Sequence, residues 1–140
     1  MADYSYATAG ELDLHEVLGL YEAVGWSAYT DHPDTLLKAL EGSATVAVAR
    51  EAGKLVGLAR VVSDGHTICY LQDILVHPGC HRSGIGRALA DLVLRPYAEV
   101  RQKVLLTDDE PGQRAFYEAL GFVRADVYPG APMNAFVRLD

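Results

Sequence analysis

The feature that most constrains this chain is a glycine-containing loop, HRSGIGR at residues 81–87, which lies between an apolar run and a helical pattern. Gly84 and Gly86 lack the Cβ atoms that keep a ligand away from the backbone, and they permit positive φ angles. After them, apolar residues recur at helical spacing, at Ile85, Ala88, Leu89, Leu92 and Val93. The loop is therefore also a helix N-terminus, where free N–H groups and the helix dipole favour an anion, most often phosphate.

Polar side chains flank the two glycines. Arg82 and Ser83 precede them and Arg87 follows, and all three side chains are long or polar enough to reach a bound phosphate. The alternative is a loop that merely starts a helix, because glycines alone are weak evidence for a binding site. The flanking arginines favour phosphate binding.

Length and composition indicate one domain over residues 1–140, since half of the 140 residues are hydrophobic and can form a full core. The N-terminus lacks the basic start and apolar run of a signal peptide, and no stretch approaches the roughly 20 apolar residues that cross a membrane. Cys69 and Cys80 show neither metal-ligand nor redox spacing, and the histidines show no metal spacing. We therefore expect a cytoplasmic protein that needs no metal.

The charge distribution separates the two halves of the chain. The net charge of −7 argues against nucleic-acid binding. Residues 1–70 carry ten acids against four Lys and Arg, a balance of −6, whereas residues 71–140 carry nine against eight, a balance of −1. An anionic ligand in the second half and a cationic ligand in the first would suit this distribution.

Hydrophobic periodicity and turn residues predict an α/β fold with a sheet of mixed direction. A first strand at YSYA is followed by helices over 13–25 and 32–43, and then by three antiparallel strands at 44–50, 54–63 and 67–76. The loop helix, a short strand at 103–108, a helix over 110–120 and two last strands at 121–127 and 133–139 complete the chain. The predicted order is β-α-α-β-β-β-α-β-α-β-β.

This order, together with ILVHPGCHRSGIGRAL at 74–89 and FYEALGF at 116–122, resembles the GNAT superfamily of acyl-CoA-dependent N-acyltransferases. The resemblance covers nearly the whole chain and implies a mostly antiparallel sheet with helices on both faces. It also implies acetyl-CoA as co-substrate, bound by a bulged fourth strand and by the loop. The implied contacts are Ile74, Leu75, Val76, His81, Arg82, Ser83, Gly84, Ile85, Gly86 and Arg87. His81 stands where the family has Arg or Gln.

A dinucleotide site is the main alternative for the glycine loop. Asp108 follows at roughly the distance of the acid that binds an NAD ribose, about 20 residues on. Two features count against this alternative. The glycines do not follow their strand directly, and Leu89 occupies the place of the third small residue.

Two residues are candidates for the chemistry of acyl transfer. The resemblance places Tyr117 where the family tyrosine donates a proton or a hydrogen bond to the leaving thiolate; a core tyrosine is the alternative. Tyr117 lies about 100° around its helix from Phe116, off the apolar face. Burial raises the pKa of carboxylates in general, so Asp73, in a nearly apolar strand, is a candidate general base. Equally, Asp73 can stay ionised and accept structural hydrogen bonds from neighbouring backbone N–H groups.

The resemblance also implies that the segment between the first two helices lines an amine pocket. Trp26 and Tyr29 lie there, and aromatic faces attract cationic amines; covering a small core is the alternative. The sequence therefore predicts acetyl transfer from acetyl-CoA to a primary amine by direct attack in a ternary complex. A CoA-binding sensor without turnover is the second interpretation. The expected partner is a small cationic amine, with no nucleic acid or membrane and with a homodimer left open.

Overall fold

The computed structural model describes residues 1–81 and 83–140, so Arg82, predicted as a phosphate contact, lies outside the described residues. The described chain divides into two compact units, Met1–Leu106 and Thr107–Asp140. The assignment of residues 1–140 to a single domain stays a prediction. Among the described residues, no helix combines the length and the apolar character that crossing a bilayer requires.

The first unit is built on one sheet whose strands lie side by side in chain order. Its first four strands are antiparallel neighbours, and β4 and β5 run parallel. The strands are β1 Asp3–Tyr6, β2 Thr45–Glu51, β3 Lys54–Ser63, β4 Ile68–Val76 and β5 Gln102–Leu105. The helices of this unit are α1 Leu14–Ala23, α2 Ser27–Thr30, α3 Pro33–Glu41 and α4 Ile85–Leu94. The mixed, mostly antiparallel α/β class is confirmed, and the antiparallel strands are incompatible with a parallel dinucleotide-binding sheet.

Helices cover both faces of this sheet. On one face, α1 and α3 pack against β2, β3 and β4 through a cluster that includes Val17, Leu20, Tyr21, Leu36, Val48, Leu58 and Leu75. On the other face, Gly57 of β3 lets α4 approach closely, because a Cβ there would lie 2.7 Å from Leu89 Cδ1 and 3.1 Å from Ile85 Cγ2. Ile85 and Leu89 are buried, as the helical spacing predicts.

The second unit contains α5, Pro111–Ala119, and a 3₁₀ turn at Ala125–Val127. The chain leaves α5 through Gly121, whose φ of +93° is readily adopted only by glycine. Pro111 starts this helix, where its missing N–H is not needed.

The prediction of two last strands differs from the structure, because residues 121–127 and 133–139 form no strand in the described unit. Their backbone hydrogen bonds do not form a strand ladder: Val127 N–H closes a turn with Arg124 O at 3.2 Å, and Met133 N–H donates to Ala125 O, eight positions earlier, at 2.7 Å. A strand needs a neighbouring strand to pair with, and an alternating pattern alone does not supply one.

Candidate functional site

A β-bulge at Gln72 turns the side chain of Asp73 to the other face of the sheet. Leu71 pairs with Val61 and Asp73 pairs with Arg60, so Gln72 is the extra residue of β4. Because neighbouring residues of β3 face opposite sides, Leu71 and Asp73 also do, although they are two positions apart. The bulge thereby directs Asp73 to the face that α1 and α3 cover.

Three side chains hold the Asp73 carboxylate. Its Oδ2 accepts hydrogen bonds from Arg60 Nε at 2.5 Å and from the Tyr21 hydroxyl at 3.0 Å. Its Oδ1 accepts from the Tyr29 hydroxyl at 2.9 Å. Asp73 is 4% exposed and Arg60 is 5% exposed, so the ion pair is buried. If Asp73 had a structural role, backbone N–H groups were its expected hydrogen-bond donors. The donors in the structure are side chains instead.

Burial and charge act in opposite directions on Arg60. Burial lowers the pKa of its guanidinium, but the Asp73 carboxylate and hydrogen bonds to Asp73 and Tyr29 outweigh that effect and raise the pKa. Burial and the negative charge of Asp73 both raise the pKa of the Tyr21 hydroxyl, so Tyr21 stays a neutral donor. The cluster therefore contains one buried positive charge and one buried negative charge that offset each other.

Trp26 and Tyr29 form an aromatic wall beside this ion pair. Their ring centroids lie 6.2 Å apart, and Tyr21 lies edge-on to Tyr29 at 5.1 Å. The Arg60 guanidinium carbon lies 5.8 Å from the centre of the Tyr29 ring. Trp26 and Tyr29 pack against the α1–α3 core and are only half-buried. Trp26 and Tyr29 therefore cover part of the core, which was the alternative to lining an amine pocket. Each side chain also keeps some exposed surface.

Sequence reasoning did not identify Arg60 and Tyr21 as site residues. Arg60 is the one charge inside the apolar run LVGLARVV. Because a buried charge requires a partner, this pattern could have predicted that Arg60 pairs with a buried acid. Tyr21 is a buried apolar-face residue of α1, and the sequence gives no sign that its hydroxyl has a partner 52 residues away.

The end of β4 extends past its neighbour β5. The β5 pairing covers only Ile68 to Leu71, while Ile74, Leu75 and Val76 remain paired with β3. On the β5 side, the described strands therefore provide no ladder partner for this stretch of β4. Exposed strand edges of this kind present N–H and C=O groups to a ligand.

The glycine loop caps α4 with a backbone conformation suited to glycine. Gly84 is the N-cap residue and has a φ of +81°, and a Cβ placed there would meet no atom of the described residues within 4 Å. The first α-helical bond runs from Ala88 N–H to Gly84 O at 3.1 Å. The amides of Ile85, Gly86 and Arg87 precede it, so the helix supplies no acceptor for them.

Two predicted loop contacts have partners within the protein. His81 Nε2 lies 3.2 Å from the Val76 carbonyl oxygen, so this nitrogen carries the proton and ties the loop to the end of β4. The Ser83 hydroxyl donates to the Cys80 carbonyl at 2.5 Å. The exposed Arg87 side chain lies in the first turn of α4.

Tyr117 belongs to the second unit, and its surroundings there are aromatic. It is the buried residue of α5, whereas Phe116 and Leu120 are only half-buried, the reverse of the expected helix face. Its ring lies edge-on to Phe116 at 5.0 Å and to Phe122 at 6.2 Å. Burial raises the pKa of the Tyr117 hydroxyl to about 12, so the hydroxyl is protonated at neutral pH.

Within residues 1–81 and 83–140, no group of three or more His, Cys, Asp and Glu side chains is arranged to hold a metal ion. Cys69 is buried and Cys80 is half-buried, and both are free thiols.

Known proteins resemble this chain in both sequence and structure. A GNAT family acetyltransferase from Streptococcus pneumoniae superposes with a TM-score of 0.81 at 30% identity, over 99% of this chain and 100% of that one. A histone acetyltransferase of Glycine max is 28% identical over 131 residues, which cover 84% of this chain and 54% of the relative. A chloroplastic serotonin N-acetyltransferase of rice is 30% identical over 118 residues, or 79% of this chain and 56% of the relative.

This chain thus spans about half the length of these two plant relatives. The profile of the acetyltransferase (GNAT) domain matches residues 16–128, from within α1 to the turn after α5. That stretch includes the bulged fourth strand, the glycine loop and the helix of Tyr117, and the chain belongs to the GNAT acetyltransferase family.

Proposed function

We propose that this protein transfers the acetyl group of acetyl-CoA to a primary amine, by direct attack of the amine in a ternary complex. One observation carries the proposal: the end of β4 extends past β5 and leads through a short loop into the glycine-capped start of α4. The free strand edge suits the amides of the pantetheine arm of CoA, and the helix N-terminus that follows it in the chain suits the pyrophosphate.

The residues of the loop fit a pyrophosphate. Gly84 immediately precedes the α4 amides, and a Cβ there would meet no atom of the described residues within 4 Å, so the space beside this residue is open to a ligand. Ile85, Gly86 and Arg87 offer backbone amides there, and Arg87 adds an exposed positive charge. Ile74, Leu75 and Val76 offer the strand edge, while His81 holds the loop to Val76 and does not itself have to contact the phosphate.

The reaction requires a nucleophile and a stabilised leaving group. An amine that binds as a cation first loses one proton to water, which frees its lone pair. The neutral nitrogen then attacks the thioester carbonyl, the C–N bond forms, the C–S bond breaks with the CoA sulfur leaving as a thiolate, and the nitrogen loses a second proton to water. We assign Tyr117 to the departing thiolate as a hydrogen-bond donor. Its pKa of about 12 lies above that of an ordinary thiol, about 8.5, so complete proton transfer from Tyr117 would be unfavourable.

Asp73 acts in this proposal as a positioning residue and not as the general base. Its Oδ2 accepts from Arg60 and Tyr21, its Oδ1 accepts from Tyr29, and 4% of the residue is exposed. A base must contact the proton that it abstracts, directly or through one water. We therefore propose that Asp73 fixes the aromatic wall, and that the amine loses its proton to water.

The acceptor in this proposal is a small cationic amine with an apolar or aromatic body. The half-buried rings of Trp26 and Tyr29 can stack against such a body, and the charge of −6 over residues 1–70 attracts a cation. One relative is named for serotonin and another for histones, so a lysine side chain is the acceptor to compare.

The deciding experiment measures release of the CoA thiol from acetyl-CoA across a panel of amines, with no other protein present. The panel contains arylalkylamines, polyamines, an amino acid, an amino sugar and a lysine-containing peptide. We expect thiol release that requires an amine and is fastest with an arylalkylamine or a polyamine. Saturable acetyl-CoA binding without thiol release would support the sensor function instead, and a preference for the peptide would exclude the small-amine acceptor.

A further inference from the structure

Gln72 is an exposed polar residue at the point where β4 bulges. It is the extra residue of the bulge, and on either side of it Leu71 and Asp73 are buried. Its side-chain amide nitrogen lies 3.2 Å from the Tyr29 hydroxyl oxygen, so the side chain is held beside the aromatic wall. An exposed glutamine on a surface strand is ordinarily free to rotate, whereas this one is anchored at one end.

The hydrogen-bond network determines which end of the Gln72 amide is anchored. A tyrosine hydroxyl has one proton, and Tyr29 donates it to Asp73 Oδ1 at 2.9 Å, because an ionised carboxylate can only accept. The Tyr29 oxygen can then only accept from Gln72, so the amide NH₂ group faces Tyr29. The carbonyl oxygen of Gln72 is consequently the end that remains available to a ligand.

The Tyr29 hydroxyl has no capacity left for a substrate. It donates to Asp73, and its oxygen accepts from Gln72 and from Arg60 Nη2 at 3.3 Å. One donor and two lone pairs are the full inventory of a hydroxyl. The ring of Tyr29 can contact a ligand, and Gln72, anchored on the Tyr29 hydroxyl, offers a polar group beside that ring.

We propose that the side-chain carbonyl oxygen of Gln72 accepts a hydrogen bond from the N–H of the acceptor amine and makes the site selective for N–H-bearing cations with an apolar body. This inference rests on the proposed function. The network of Asp73, Arg60 and Tyr29 fixes the Gln72 amide before the amine binds, which lowers the entropy cost of the contact. The positive charge of Arg60 does not oppose a cationic ligand strongly, because Asp73 neutralises it at 2.5 Å.

The test compares the parent with Gln72→Met, which keeps the length of the side chain and removes both polar ends. With the best primary amine of the panel, we expect KM for the amine to rise about tenfold or more, since a hydrogen bond to a charged group is lost. KM for acetyl-CoA should stay within about twofold. Gln102→Met is the matched control, because Gln102 is another exposed strand glutamine, at the start of β5, and its replacement should leave all constants unchanged.

A second ligand separates hydrogen bonding from charge and shape. The N-trimethylated form of the same amine keeps the cation and the body but has no N–H to donate, and it serves as a competitive inhibitor. Its inhibition constant should be equal for the parent and for Gln72→Met. If the variant weakens both ligands equally, or weakens neither, Gln72 does not accept from the amine. Absence of amine-dependent thiol release by the parent would overturn the proposed function itself, and this inference with it.

Discussion

Arg60 and Asp73 are the residues whose roles depend most on their surroundings. Each would be an isolated buried charge without the other, and together they form a contact of 2.5 Å that also holds two tyrosine hydroxyls. Removing one partner of a buried ion pair leaves an uncompensated charge, whereas removing both charges does not. This asymmetry gives a prediction for stability and another for catalysis.

For stability, we expect Arg60→Met to lower the free energy of unfolding by about 3–5 kcal/mol at neutral pH, because it leaves the Asp73 carboxylate buried and unpaired. Adding Asp73→Asn removes that charge while keeping polar atoms for Tyr21 and Tyr29. The double variant should therefore be more stable than Arg60→Met alone. Urea unfolding of the parent, both single variants and the double variant measures the coupling, and additive losses would contradict it.

For catalysis, the same double variant, Arg60→Met with Asp73→Asn, tests the role of Asp73. If the carboxylate only positions the aromatic wall, the rate should fall by the same factor at every pH from about 6 to 9. Loss of a general base would instead slow the reaction most at low pH, where the amine is charged. The ratio of parent to variant kcat/KM for the amine across this range is the measurement, and a ratio that grows as pH falls would restore Asp73 as the base.

Tyr117 gives a prediction for the chemical step. We expect Tyr117→Phe to lower kcat by about 100-fold with little change in KM for acetyl-CoA, the size of effect found for loss of one donor to a developing anion. Because burial raises the pKa of Tyr117 to about 12, its hydroxyl should remain a donor in the parent, and kcat should show no alkaline fall below about pH 10. Tyr128→Phe, at a more exposed tyrosine of the same unit, is the control. An unchanged single-turnover rate would remove Tyr117 from the mechanism.

At the scale of elements, two glycines with different roles position α4 on the sheet. Gly57 supplies space for α4 to pack on β3, and Gly84 supplies the left-handed cap in front of the helix. The first is a requirement of packing, and the second is also a requirement of ligand approach. Only a substitution at Gly84 should lower the affinity for acetyl-CoA without a general loss of packing.

We therefore expect Gly84→Val to reduce acetyl-CoA affinity by at least tenfold, because the branched side chain fills the space in front of the α4 amides. Gly65→Val is the matched control. Gly65 has a φ of +80° against +81° for Gly84, each has open space at Cβ, and Gly65 precedes β4 whereas Gly84 follows it. Both variants thus carry the same backbone strain. Titration calorimetry measures the affinities, and equal losses in the two variants would place the CoA site elsewhere.

At the scale of the whole chain, the charge of −7 is concentrated in the first half, where residues 1–70 hold −6. Fields of this kind raise the local concentration of cationic ligands and are screened by salt over about 10 Å at 0.1 M. We expect KM for a cationic amine to rise several-fold between about 20 and 500 mM salt. An acceptor amine that is neutral at the assay pH should show a smaller change, and an equal change for both would argue against attraction of the cation.

The sequence by itself determined the family, the order of the strands and of the longer helices through α5, and the glycine-capped helix, because these depend on local patterns. The four-residue helix α2, in the segment between the first two predicted helices, was not predicted. Helical spacing, strand alternation and glycine punctuation act between residues a few positions apart. Only the tertiary structure decided the surroundings of Asp73, whose partners Arg60, Tyr29 and Tyr21 lie 13, 44 and 52 residues away. The bulge that directs Asp73 toward them is a property of the register between two strands, and neither strand encodes it alone. The same reason explains the last two predicted strands: their alternation is present in the sequence, but a strand forms only where a partner strand offers its backbone.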